Sequence, residues 1–302
     1  MFPRFFTSCR MTPKNMITMK KLIYILTLFI LCACGNTTKQ SEKPILTVTL
    51  EPLRYFTEAI AGEHFEVVSM VPKGSSPESY DPTPQQLVNL SRSQAYLRIG
   101  YIGFELAWMN KLQANCPDMK VYDTSQGVDL IRSEGHWHDD HFHEGSIEPH
   151  IWNSTRNANV IAENICAALC ELAPNHQDDF ENRLHDLKQT IAQTDSIIRI
   201  HLTDADSTFL IYHPALSYFA RDYGLKQLSI EEGGKEPSPA QLKALIETCR
   251  KEHAHTIFVQ KEFDQRNAQL IADELGVHIV SINPLSYDWA NEMVNIAKAL
   301  KR

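Results

Sequence analysis

Histidine is the residue type whose spacing first suggests chemistry. His136, His138, His141, His143 and His150 fall within one short stretch, beside Glu134, Asp139, Asp140, Glu144 and Glu148. No Lys or Arg occurs between Arg132 and Arg156. Neutral imidazole is the commonest metal ligand, and carboxylates beside it attract a divalent cation. A short histidine-rich tract therefore reads as metal-binding. The bland reading is a polar loop or a purification tag, and a tag would sit at a terminus.

Composition fits a cation and excludes some other partners. The chain has 302 residues, 43% hydrophobic and 22% charged, which is globular composition. Removing residues 1–33, which hold five basic residues and no acid, takes the formal charge from −8 to −13. Nucleic acid needs clustered Lys and Arg, so it is not an expected partner. At the N-terminus Lys20-Lys21 precede an apolar run, 22–31, too short to span a bilayer and of signal-peptide length. The run ends in Leu31-Cys32-Ala33-Cys34-Gly35, which resembles a bacterial lipobox with Cys34 as the lipidated residue. Residues 1–33 thus read as a signal peptide with an over-called start, and 34–44 as the lipidated cysteine and a tether. The expected product is an exported protein held on a bacterial membrane by acyl chains. Cys116, Cys166, Cys170 and Cys249 lack zinc-ribbon spacing. Cys166 and Cys170 read as core thiols on one helix, with a disulfide among the four left open.

The elements that must position such ligands alternate along the chain. Strands are expected at 45–50, 65–71, 95–99 and 120–123, with helices at 52–61, 83–90 and 103–112 between them. Ser154 caps a further helix that Pro174 ends, and apolar spacing from Phe180 to Ile198 then marks a long helix. Beyond it the alternation restarts, with strands at 208–212, 226–230, 256–259 and 277–280 and helices between. Alternation of this kind predicts an α/β fold with parallel sheets flanked by helices. The expected domains are an N-terminal lobe at 45–173 with a histidine-rich loop at 134–148, a linking helix at 174–204 and a C-terminal lobe at 205–302.

Sites in open α/β sheets form beyond the carboxyl ends of strands. His213 directly follows the strand at 208–212, so it is expected to face such a crevice, although a satisfied core histidine is the rival reading. His150 lies where the histidine-rich loop meets the next helix, like a ligand at the base of a lid. His64, His176, His185, His201, His253, His255 and His278 read as solvated surface.

Three stretches carry a family resemblance: 74–84 (GSSPESYDPTP), 148–152 (EPHIW) and 212–225 (YHPALSYFARDYGL). In order and type they resemble the signatures of metal-binding lipoproteins of ABC transporters, the ZnuA-type zinc and manganese group. Residues 257–259 and 282–285 resemble two further stretches of that family, and the likeness covers roughly 45–302. The resemblance implies two lobes joined by one long helix, with the metal in the cleft between them. It also implies three ligands, one per signature. His150 and His213 match; where the family has Asp-Pro-His, this chain has Ser76-Pro77-Glu78, which puts Glu78 in the ligand position. A carboxylate oxygen ligates zinc at a distance similar to imidazole nitrogen. The fourth ligand is expected from water or from 283–288, where Asp288 is the nearest carboxylate.

The function expected from this resemblance is capture of Zn²⁺, as transported cargo, and its delivery to an ABC-transporter membrane permease by a monomeric lipoprotein. Glu78 hardens the ligand set and makes Mn²⁺ the alternative, while two imidazoles and the histidine-rich loop favour the later metal. His136, His138, His141 and His143 are then an accessory collecting loop. Two other classes fit parts of the pattern. A zinc metallohydrolase would share two His and one Glu, but there is no His-Glu-x-x-His pair and Glu148 is the one candidate base. A metal-storage or adhesion lipoprotein would instead show many equivalent sites.

Overall fold

The computed structural model describes residues 43–302, apart from 133–135, 139–140, 144–145, 232–233, 264 and 302; for 136–138 and 141–143 it describes the backbone alone. The leader and Cys34 lie outside the described residues. Among the described residues no helix is long and apolar enough to cross a membrane.

Four strands, β1 (Ile45–Val48), β2 (Glu66–Ser69), β3 (Ser93–Arg98) and β4 (Lys120–Asp123), pair in parallel in the order β2-β1-β3-β4. Parallel pairing needs crossovers, which here are helical. The first, α1 (Glu51–Ala61), has Pro52 in its first turn, buries Leu53, Phe56 and Ile60 along one face, and stops at Gly62 with φ +56°. The second, α2 (Pro84–Leu90), starts from a Thr83/Gln86 capping box. The third, α3 (Gly103–Asn115), follows β3 after a short loop.

Within 134–148, expected to be a loop, two short strands are paired. Strands β5 (His136–His138) and β6 (His141–His143) pair antiparallel, His136 opposite His143 and His138 opposite His141. Two aromatic-centred triplets, His-Trp-His and His-Phe-His, separated by two residues are a hairpin pattern that histidine content obscures.

Ser154 caps α4 (Thr155–Leu172), its hydroxyl accepting from the Asn157 N–H. A 3₁₀ turn at Pro174–His176 leads into α5 (Gln177–Leu202). At 26 residues this helix is about 39 Å long at 1.5 Å per residue. It buries only Phe180, Leu187, Ile191, Thr194 and Ile198, so one stripe packs on α1 and α4 while the rest meets solvent. His64 and His176 are not merely solvated: their rings stack 4.0 Å apart, and His64 bonds Asp179 at 2.8 Å near the start of α5.

The second sheet is again all parallel. It comprises β7 (Thr208–Ile211), β8 (Lys226–Ser229), β9 (Thr256–Gln260) and β10 (His278–Ile282), in the order β10-β9-β7-β8. Between them run α6 (Ser217–Tyr223), α7 (Pro239–Lys251) and α8 (Arg266–Leu275), and α9 (Trp289–Ala299) closes the chain. Alternation splits the apolar side chains of this sheet between two cores. Phe209, Ile211 and Phe258 join the large core shared with α1, α4, α5 and α9, whereas Leu210, Ile257 and Val259 face a smaller one under α7 and α8. The fold is therefore two parallel sheets flanked by helices, with the long α5 joining the lobes.

The return from β10 to α9 crosses back onto the first lobe. Trp289, 2% exposed, packs edge-on to Phe56 at 5.0 Å and donates its indole N–H to the Trp152 carbonyl at 2.8 Å. In turn the Trp152 indole donates to the Pro284 carbonyl at 2.8 Å. Cys116, Cys166, Cys170 and Cys249 carry free thiols; Cys166 and Cys170 sit 4.0 Å apart, and burial followed by the nearby Cys170 pushes the Cys166 thiol up to about 12. Replacing Trp289 by Ala removes both the packing and the reciprocal indole bond. A loss of about 3–5 kcal/mol is expected in urea unfolding; an unchanged midpoint would show that α9 does not hold the lobes.

Candidate metal centre

The cleft between the lobes collects the carboxyl ends of most strands. From the second sheet, β7 leads to His213, β8 to Glu231, β9 to Gln260, Glu262 and Phe263, and β10 to Pro284 and Leu285. From the first, β2 leads into the loop bearing Glu78. His150 comes from the segment before α4. Glu78, His150 and His213 each offer one ligand atom here, and these atoms lie within 4.8 Å of one another. Together with Trp152, Phe263 and Leu285 they line a cavity of about 30 Å³, room for one small ion or water.

Each imidazole is gripped from behind by a carboxylate. His150 Nδ1 bonds Glu148, and His213 Nδ1 lies 3.2 Å from Glu231. An ionised carboxylate only accepts, so a neutral ring fastened in this way carries its proton on Nδ1 and presents its lone pair on Nε2. Those two Nε2 atoms face each other at 3.3 Å. Glu78 Oε1 stands 3.7 Å from His150 Nε2. The rings themselves are fixed: Phe263 stacks on His213 at 5.0 Å and 12°, and Trp152 meets His150 edge-on at 5.3 Å. The Gln260 amide donates to the His213 carbonyl at 2.8 Å and accepts from its N–H at 3.4 Å.

The electrostatics follow from burial and charge. Burial tends to raise the Glu148 carboxyl, but hydrogen bonds and charge from His150, then the Ser217 hydroxyl, hold it below the usual carboxylate range. The His213 imidazole lies below its ordinary range, chiefly through burial and then the neighbouring His150, with Glu231 and Glu78 opposing. A neutral His213 is the form that can donate a lone pair to a metal.

Of the residues named from sequence, the structure brings Glu78, His150 and His213 together. It does not bring Asp288 to them. Asp288 stands at the start of α9 without a side-chain capping bond, accepts from the Asn291 side-chain amide at 2.8 Å and lines a separate cavity with Glu51 and Lys73. The side chains of His136, His138, His141 and His143 lie outside the described residues. Sequence reasoning missed Glu231 and Glu262. Glu231 stands in a Glu-Glu-Gly-Gly run that reads as a solvated turn, and its position directly after a strand end was the available signal.

Glu78 is held by a close backbone approach. The Pro77 carbonyl accepts from the Phe104 N–H at 2.9 Å, and Glu78 Oε2 accepts from the Gly103 N–H at 3.3 Å, at the positive end of α3. A Cβ on Gly103 would stand 2.4 Å from the Glu78 carbonyl oxygen. Gly103→Ala must therefore push the Glu78 loop outward and cost about 1–3 kcal/mol by overpacking. Thermal or urea unfolding and a crystal structure of the variant check this; parental stability with Glu78 unmoved would refute the buttress.

Comparison with known proteins identifies the family and the fold. The model of the family described as zinc-uptake complex component A, periplasmic, matches residues 46–302. The crystal structure of ZnuA aligns with a TM-score of 0.78 and 33% identity, covering 85% of this chain and 97% of that one. A manganese ABC transporter substrate-binding lipoprotein, PsaA of Streptococcus mitis, is 27% identical over 86% of this chain and 88% of its own length. An iron ABC transporter substrate-binding lipoprotein, MtsA of Streptococcus pyogenes serotype M1, is 26% identical over 85% of each. With its family signature running from the first strand to the C-terminus on a matching two-lobed fold, this chain belongs to the ZnuA family of substrate-binding proteins.

Proposed function

We propose that this protein captures a zinc ion between its lobes on Glu78, His150 and His213 and delivers it to an ABC permease. The observation that carries the reading is the pair of facing Nε2 atoms, 3.3 Å apart. Two lone pairs at that separation repel unless a proton or a cation lies between them. With bonds of about 2.0–2.1 Å, a tetrahedral zinc ion has ligand–ligand edges of about 3.3–3.4 Å, which this spacing suits. Glu78, on the opposite lobe from His213, supplies an oxygen and part of the compensating charge. The fourth position falls to water or to Glu262, which lines the same cavity.

Manganese is the runner-up, because Glu78 adds a hard oxygen where the family resemblance places imidazole, and PsaA is named for manganese. The two imidazoles favour zinc. A hydrolase is less well supported, since Glu148 is engaged with His150 and with the Ser217 hydroxyl at 3.2 Å rather than free to serve as a base. The remaining features complete a transport reading: lipidation at Cys34 tethers the exported protein to its membrane, and the histidine hairpin at 136–143 gathers metal near the cleft.

Zinc titration by calorimetry tests the site. Glu78→Ala, His150→Ala and His213→Ala should each weaken the tight site by at least about tenfold, or about 1.4 kcal/mol. Parental affinity in all three would remove the assignment. Because His213 is held below the ordinary imidazole range, it stays neutral on mild acidification, and protons displace the metal only as pH falls through that lowered range. Affinity should thus hold as pH falls through the ordinary imidazole range and be lost only on stronger acidification; a loss already complete within the ordinary range would contradict a buried His213 as ligand.

A further inference from the structure

Glu231 belongs to a loop with no part in the proposed ligand set, yet it is 7% exposed, unusual for a carboxylate. Its place is fixed by the sheet. The parallel pairing of β7 and β8 continues past the strands, with Ile230 N–H donating to the Ile211 carbonyl at 2.9 Å and Glu231 N–H to the Tyr212 carbonyl at 3.0 Å. That puts Glu231 beside the residue immediately before His213. The turn at Gly234, with φ +75°, brings its backbone over Glu231, so that a Cβ there would lie 3.7 Å from Oε1. Oε2 is left facing His213 Nδ1 at 3.2 Å.

Three contacts then define the imidazole completely. Phe263 fixes the plane of the ring, Gln260 fixes its backbone, and the Glu231 carboxylate fixes which nitrogen carries the proton. We infer that Glu231 is a positioning residue for His213, locking it in the Nδ1–H tautomer with the Nε2 lone pair aimed at the cleft. Glu148 does the same for His150 from the other lobe. The two Nε2 atoms converge because two carboxylates stand behind them, one on each lobe. A carboxylate in that position also raises the basicity of the imidazole and so its strength as a metal donor. The part of this inference that concerns affinity rests on the proposed zinc site; the part that concerns the tautomer does not.

The test uses the full mature chain labelled with ¹⁵N-histidine. Long-range ¹H–¹⁵N spectra of the metal-free protein report the His213 tautomer directly, and zinc titration reports affinity. In the parent, His213 should be Nδ1–H. Glu231→Ala should relax it toward the tautomer mixture of free imidazole and weaken zinc binding by about 10–100-fold. Glu231→Gln keeps an acceptor oxygen without the charge; it should retain the tautomer and lose less affinity than the alanine variant. Being isosteric, it also guards against an alanine variant that fails to fold. A parental tautomer in folded Glu231→Ala, or parental zinc affinity, would overturn the inference. Absence of zinc binding by the parent would instead defeat the proposed function, while the tautomer comparison would still decide the role of Glu231.

Discussion

Two imidazole nitrogens held 3.3 Å apart, each with its lone pair toward the other, are the constraint on which the rest of this structure depends. Such a pair is unfavourable by itself. It persists because each ring is fastened by its far nitrogen to a carboxylate, by stacking or edge contact with an aromatic ring, and, for His213, by a backbone clamp from Gln260. A cation relieves the repulsion, and three nearby carboxylates, Glu78, Glu148 and Glu231, balance its charge. The strand ends and the aromatic lining keep that pair converged, while the Gly103 contact holds Glu78 beside it.

The lobes are joined by more than the long helix. Trp152, two residues after His150, exchanges indole hydrogen bonds with the 284–289 segment, so the chain beside one ligand is tied to the return from the second sheet. On the other side of the site, Tyr218 donates to the Glu148 carbonyl at 2.8 Å, and Asn153 donates to the Ala215 carbonyl at 2.9 Å. These two bonds tie segment 148–153 to segment 215–218. Glu78 stands apart from this network: its loop is buttressed by Gly103 on its own lobe, and its side chain is the most exposed of the three.

Much of this was legible in the sequence. The alternation of apolar runs located the strands and helices to within a few residues, because parallel α/β units carry strong local signals such as the Ser154 cap and the Pro174 stop. The strand-end rule pointed His213 at a crevice but left a core histidine as its rival, and Glu78 came only through the resemblance, since one glutamate in a Pro-Ser loop has no signal of its own. The hairpin at 136–143 was hidden by its histidines. Glu231 was missed because its burial comes from ladder bonds with a strand distant in sequence, and Asp288, named as the nearest carboxylate for an open fourth position, lies in a separate cavity. For Glu231 a tertiary contact overrode the local reading, whereas the strands at 136–138 and 141–143 are a local pattern that went unread.

The central claim is that two imidazoles and a carboxylate, rather than the histidine hairpin, form the tight site. Zinc K-edge X-ray absorption on protein lacking residues 134–146, loaded with one equivalent of zinc, measures this most directly. The account predicts two imidazole nitrogens with the remaining ligands oxygen, all at about 2.0–2.2 Å, and no sulfur. A shell with three or more imidazoles, a thiolate, or no bound zinc after the deletion would contradict it.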